Sequence, residues 1–307
     1  MMRDRLHVQA PAKLNLALSV GAPGADGMHP ISGWMATVDL HDDLELVRLP
    51  TGYPSRYAII WHEEARRTSD IDWSITRDLA VRAHQALERR LGRALSVQAR
   101  VEKRIPVGGG LGGGSADAAA MLHGLNRLFD LDLSVDELAD VAAPLGSDVP
   151  FLVHGGSAIV SGLGERIERL PAPDALDAVL VFPETTCLTG PVYRCFDERR
   201  PDARVDEARV RELAVSPLTP HGPFNDLADP ACHLHPELGS LRTALADAVG
   251  TTIHVSGSGS TLFLIADSDL TAGLLAETIE SRFQLPAIPV RASGGAIVGE
   301  VIRGEGH

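Results

Sequence analysis

Residues 106–117 read PVGGGLGGGSAD, placing six glycines in the seven positions before Ser115. Glycine loses more backbone entropy on ordering than any other residue, so such a run needs a compensating use. One use is anion binding. Without side chains at Gly108, Gly109, Gly110, Gly112, Gly113 and Gly114, successive backbone N–H groups can close on a phosphate at a helix N-terminus. Ser115 at the helix start can cap the helix, touch phosphate or ligate Mg²⁺, and Asp117 in the first turn suits the helix dipole. The other use is a tight turn with close helix packing. Lysine adds a second clue: of 28 basic residues only Lys13 and Lys103 are lysine, the rest being arginine. A compact ammonium differs from a planar guanidinium, and Lys103 stands directly ahead of the loop while Lys13 lies in PAKLNLAL.

Spacing sorts the phosphate loops that could apply. A Walker A loop needs Lys after its final glycine, whereas Ser115 follows Gly114 directly. Gly108, Gly110 and Gly113 fit G-x-G-x-x-G, but a dinucleotide fold requires an acidic residue about 20 positions on, ending a second parallel strand. Asp130 and Asp132 lie near that distance and follow a helical pattern instead. The protein-kinase pair H-R-D and D-F-G is absent.

The elements around the loop can be read from periodicity. RLHVQAPAKLNLALSV predicts one or two strands broken near Pro11, and residues 33–49 and 57–62 continue as strand. Residues 77–91 carry apolar positions at helical spacing, with Gly92 as the stop. LSVQARVEKRIP predicts a half-buried strand that runs into the glycines, and residues 115–129 a buried helix behind them. SVDELADVAA has Ser134 and Glu137 in capping-box register, closed by Pro144. Prolines around residue 170 mark a boundary, giving spans of 1–170 and 171–307. The second span predicts a strand at 177–182, helices at 202–214, 237–248 and 268–283, a strand–glycine turn–strand over 252–266, and a last strand in AIPVRAS. The fold class is α+β in two lobes.

Composition excludes several functions. The net charge of −13 argues against a nucleic-acid binder, so any phosphate must be held locally. No apolar run approaches the ~20 residues of a membrane span, and the N-terminus lacks a signal-peptide core, which predicts a cytoplasmic protein. Cys187, Cys195 and Cys232 have neither C-x-x-C spacing nor an even count and read as reduced thiols.

PVGGGLGGGSAD resembles the phosphate loop of the GHMP family of small-molecule kinases, in the version whose alcohol substrate carries a cytidine diphosphate group. PAKLNLAL, GADGMH, LHDDL, LGSDVPF and SGSGSTLF are similar to further segments of that version, in the expected order. The resemblance implies an N-terminal ribosomal-S5-domain-2-like lobe that binds ATP over residues 1–170 and a C-terminal ferredoxin-like lobe. It implies ATP-dependent phosphorylation of a tertiary 2-hydroxyl on a methylerythritol in the non-mevalonate isoprenoid route, with Mg²⁺. It assigns Asp148 as the group that takes the hydroxyl proton and Lys13 as its cationic partner. Lys103, Pro106, the six glycines and Ser115 fall at ATP, Ser115 also toward the metal. Asn15, His29, Tyr193, Gly257 and Gly259 fall at the substrate, with His29 facing cytosine and Tyr193 stacking on it.

The sequence departs from that pattern at Met28, where Tyr is usual, at Pro30 in place of Glu and at Gly33 in place of Thr. One ring and one thioether would then flank the base, which predicts weaker pyrimidine binding or a broader substrate choice rather than lost catalysis. Two other readings stay open: a relative acting on a sugar, homoserine or a mevalonate-type alcohol, and a non-catalytic nucleotide binder. Retention of Lys13, Asp148 and the loop together counts against the latter.

Overall fold

The computed structural model describes residues 5–173, 176–294 and 299–302. The outer ends of the two predicted spans, 1–4 and 303–307, lie outside the described residues. The chain runs β1 (Arg5–Val20), β2 (Ile31–Arg48), β3 (Arg56–Trp61), α1 (Leu79–Leu91), β4 (Val97–Lys103), α2 (Gly113–Leu128), α3 (Val135–Ala142), α4 (Val149–His154), β5 (Ser157–Gly162) and β6 (Arg166–Leu170). It continues through β7 (Asp177–Val181), α5 (Thr189–Arg199), α6 (Glu207–Val215), β8 (Phe224–Asn225), α7 (Ala228–Leu234), α8 (Pro236–Val249), β9 (His254–Val255), β10 (Leu262–Ala266), α9 (Asp269–Phe283), β11 (Ala287–Arg291) and β12 (Gly299–Ile302). Mixed helices and two sheets make this α+β.

The first sheet is built on the long β1–β2 ladder. β2 is long enough to hold two neighbours on its other edge, β5 along Ile31–Ala36 and β4 along Asp43–Arg48. β6 extends β5 antiparallel, and β3 lies parallel to β4. Two short strands from beyond residue 171 also join this sheet, β8 parallel to one end of β1 and β12 antiparallel to the other. The predicted break at Pro11 is a register shift within a single continuous β1, because β2 pairs on both sides of it.

Against this sheet lies α2, whose Ala116, Ala118, Ala119, Ala120, Met121 and Leu122 are fully buried. A helix apolar nearly all round belongs inside a core, and its small alanines let the sheet and α1 approach closely. Each core Leu or Val so enclosed contributes roughly 1.5–3 kcal/mol. The chain stops α1 with Gly92 in the left-handed region (φ 64°) and starts α3 with the predicted Ser134–Glu137 capping box.

The second sheet has the order β11-β7-β10-β9, all antiparallel, which is the ferredoxin-like 4-1-3-2 order of its four strands. Helices α5, α7, α8 and α9 pack its core through Val192, Phe196, Ala231, Leu238, Leu245 and Ile279. The three cysteines are free thiols. Among the described residues no helix is long and apolar enough to cross a membrane.

Candidate active site

Strand β1 carries register shifts at Pro11/Lys13 and at Asn15/Ala17, so Lys13 and Asn15 sit between two irregularities. Residues two apart on a strand share a face, and the shifts turn that face toward the sheet end. Both side chains are buried, and the Lys13 ammonium donates to Asn15 Oδ1. Its other partner is Asp148, with Nζ 3.4 Å from Oδ2. Asp148 occupies the N-cap position of α4, yet its side chain caps nothing. Its carboxylate therefore faces Lys13 on one side and is 29% exposed on the other.

The glycine loop crosses above this pair. The Lys13 N–H donates to Leu111 O at 2.9 Å, tying β1 to the loop. Gly112 is the N-cap of α2 at φ 70°, and a Cβ there would lie 3.0 Å from Lys13 Cγ. Gly110, at φ 75°, is still more constrained, since a Cβ would stand 2.1 Å from the carbonyl oxygen of Ser256. The loop's glycines thus serve a seam as well as a face. Ser256 Oγ donates to Gly110 O at 3.0 Å and Thr261 N to Gly109 O at 3.2 Å, joining the loop to the SGSGS turn between β9 and β10. Asn225 braces that turn, donating to Val255 O at 2.9 Å and Gly257 O at 2.6 Å. Asn225 Oδ1 also accepts from Leu227 N at 2.9 Å, so one side chain holds the start of α7 and the turn that carries Gly257 and Gly259.

Ser115 is the third residue of α2 and provides no cap, because Gly112 takes the cap position. Its hydroxyl is left to the cleft that Pro106 and the loop glycines also line. Lys103 behaves differently from the sequence expectation. Its ammonium is buried at the foot of the loop, 2.5 Å from Asp42 Oδ2 and 2.5 Å from Asp117 Oδ2. Burial opposes its charge, but the two carboxylates outweigh that and its pKa is raised. Asp42 Oδ1 in turn accepts from the backbone N–H groups of Arg104 and Ile105. The side chain is committed to bracing the end of β4, although the residue still lines the cleft. Asp117 is pushed well above the usual carboxylate range by burial, with Asp42 adding to the shift against the pull of Lys103. Among the described residues its Oδ1 has no hydrogen-bond partner. Sequence reasoning missed this triad; two acidic segments, LHDDL and SAD, around one lone lysine were the available signal.

At the other end of the cleft, His29 Nε2 lies 2.7 Å from Asp197 Oδ1 on α5. The His29 ring centroid is 4.7 Å from that of Tyr193 at 51°, and 6.3 Å from that of Phe196. Burial pushes the Tyr193 phenol up to about 12, with the charge of Asp148 adding, so it stays a neutral hydroxyl. Met28 is 48% exposed at the rim. The sequence gave no role to Asp197, whose spacing four residues after Tyr193 puts both on one face of α5.

Lys13, Asn15, His29, Asp148, Tyr193 and Gly257 line one cleft of about 1050 Å³ together with the glycine loop, whereas Gly259, where a Cβ would meet Cys187 and Val255, is not part of that lining. Trp73, Arg77 and Leu79 close the loop end, and Arg194 flanks Tyr193. Among the described residues no group of three or more His, Cys, Asp or Glu side chains could hold a metal ion. The arrangement offers a backbone-lined anion site, an ammonium–carboxylate pair open to that site, and an aromatic recess.

Residues 78–156 match the GHMP kinases N terminal domain family. A 4-diphosphocytidyl-2-C-methyl-D-erythritol kinase of Exiguobacterium sibiricum is 35% identical over 85% of this chain and 89% of its own length. The protein of that name from Bacillus velezensis is 37% identical over 84% of this chain and 87% of its own. A crystal structure of a 4-(cytidine 5'-diphospho)-2C-methyl-D-erythritol kinase superposes with a TM-score of 0.72 at 31% identity, covering 94% of this chain and 100% of that one. Homoserine kinase from Cytophaga hutchinsonii superposes at 0.67 with 18% identity, over 98% of each chain, which shows a shared fold alone.

Proposed function

The chain belongs to the 4-diphosphocytidyl-2-C-methyl-D-erythritol kinase family of GHMP kinases, and from that premise we propose that it moves the γ-phosphoryl group of ATP to the 2-hydroxyl of that cytidyl alcohol. The observation that carries the reading is the Lys13–Asp148 pair, open to the cleft beneath the glycine loop. A hydroxyl is a poor nucleophile at neutral pH. Asp148 accepts its proton as the oxygen–phosphorus bond forms and the bond to the ADP oxygen breaks, and the proton then passes to solvent. Lys13, fixed by Asn15, offsets negative charge on the moving group, a contribution of ~3 kcal/mol in sites of this kind.

The loop N–H groups and the α2 N-terminus hold the triphosphate. Mg²⁺ fits as an ion carried by the phosphates, since the site lacks an acidic cage and Mg²⁺ keeps several waters beside a few ligands. The uncapped Ser115 hydroxyl is the side chain placed to hold it; the Oδ1 of Asp117 is sealed off and lies beside an ammonium. Bound there, the ion would neutralise phosphate charge. In the substrate recess Tyr193 stacks on the cytosine, His29 meets its edge, and Met28 supplies the apolar rim. Residues 1–170 form the ATP-binding domain and residues 171–307 the second domain, which lends β8 and β12 to the first sheet and Gly257 to the cleft. A cytoplasmic location accords with soluble substrates.

ADP release with Mg-ATP and the cytidyl alcohol, compared with methylerythritol alone, tests the reading. Turnover should require the cytidyl group. In Asp148→Asn, kcat should fall by about 10²–10⁴ while ATP affinity is kept. Near-normal turnover in that variant removes Asp148 as the proton acceptor.

A further inference from the structure

We propose that Asp197 is a positioning residue that fixes the tautomer of His29 and so sets a preference for cytosine over uracil. The inference rests on the reading above, in which the cytidyl group enters against His29 and Tyr193. An ionised carboxylate only accepts hydrogen bonds, so the 2.7 Å contact with Asp197 Oδ1 places the imidazole proton on Nε2 of His29. In the neutral ring Nδ1 then carries a lone pair. Nδ1 makes no hydrogen bond among the described residues, and it is not among the sealed, unpartnered polar atoms. The His29 side chain is 11% exposed, and its ring lines the cleft.

The two pyrimidines differ at that kind of contact. Cytosine presents the N4 amino group, a donor, where uracil presents the O4 carbonyl, an acceptor. A fixed acceptor at Nδ1 pairs with the first and meets the second lone pair to lone pair, leaving both atoms unsatisfied. The ring cannot easily turn away, because Tyr193 and Phe196 pack on it at 4.7 and 6.3 Å between centroids. Asp197 follows Tyr193 by four residues on α5, so one helix face delivers both the stacking ring and the group that orients the histidine.

Asp197→Asn tests this, because its side chain can present to Nε2 either the carbonyl acceptor or the amide donor and so no longer fixes the proton on Nε2. The comparison is kcat/KM for the cytidine diphosphate and uridine diphosphate forms of the methylerythritol substrate, measured at pH 8. The wild type should favour cytidine by about 10- to 100-fold, and Asp197→Asn should cut that ratio at least tenfold through a gain on uridine, with KM for ATP within about twofold. A purely structural role would lower both substrates together and leave the ratio unchanged, which overturns the proposal. Calorimetric binding of CDP and UDP gives a readout free of turnover. If the wild type turns over neither substrate, the kinase reading fails, while equal binding of CDP and UDP fails the present one. Nitrogen NMR of histidine-labelled wild type should show His29 protonated at Nε2; protonation at Nδ1 also overturns it.

Discussion

Lys103 and Lys13 are both buried beside carboxylates, yet their surroundings fit them for different work. Lys103 faces two sealed carboxylates, one of which, Asp42, is further held by two backbone N–H groups. Lys13 faces a single carboxylate that opens to the cleft. Removing the first cation leaves two buried carboxylates without compensation, so Lys103→Met should cost about 3–5 kcal/mol in denaturant unfolding. Asp117→Asn should be near neutral or stabilising, because burial already raises that carboxyl and one of its oxygens has no partner among the described residues. A large loss in Asp117→Asn would mean that its charge, not its hydrogen bonding to Lys103, holds the foot of the loop. This distinction was not legible in the sequence: two lone lysines near motifs look alike until the strand register shows which carboxylates reach them.

Among the elements, the glycine loop was legible as a candidate phosphate loop because strand, glycine run and helix follow one another directly. Its second role was not, since the Ser256 carbonyl that excludes a side chain at Gly110 lies in another lobe. Two alanine substitutions separate the roles. Gly110→Ala should lose about 2–4 kcal/mol of stability from the left-handed φ and the clash together. Gly114→Ala, whose Cβ meets only Leu79 Cδ1 at 3.5 Å, should keep its melting temperature and raise KM for ATP. Equal stability of the two variants would refute the seam. The same physics explains which elements could be read. α1 and α3 announce themselves through Gly92 and the Ser134–Glu137 box. In contrast, α4 is six residues long with Asp148 turned away from capping, and α5 begins Thr-Gly-Pro, so only tertiary packing makes them helices. Strand β9 adds a pH effect. Burial lowers the His254 pKa to about 4, and its Nε2 pairs with Pro220 O at 2.8 Å. The unfolded chain takes up a proton near 6.5 and the folded chain only near 4, so this stabilisation is present above 6.5 and lost as pH falls toward 4. Up to about 3 kcal/mol is at stake, and His254→Asn should flatten the decline in unfolding free energy between pH 7 and 4.5.

For the whole molecule, a net charge of −13 must admit two polyanions into one cleft. Field strength there depends on cations that are not already neutralised. Lys103 is spent on Asp42 and Asp117, and Lys13 is shared with Asp148. Among the described residues the cleft-lining Arg77 and Arg194 form no ion pair, which leaves their guanidinium groups available. Their positions divide the labour: Arg77 precedes the Asp78 cap of α1 at the loop end, and Arg194 follows Tyr193 in the aromatic recess. Losing one charge-assisted contact to phosphate is worth about 1.5 kcal/mol, close to tenfold in affinity. Arg77→Gln should therefore raise KM for ATP about tenfold, and Arg194→Gln should do the same for the cytidyl diphosphate substrate. In both, kcat should hold, because among the described residues neither side chain is ion-paired or hydrogen-bonded to Lys13 or Asp148. Steady-state kinetics with each substrate varied in turn reads the split. If both variants weaken both substrates equally, the cleft works through its summed potential and not through a guanidinium assigned to each anion.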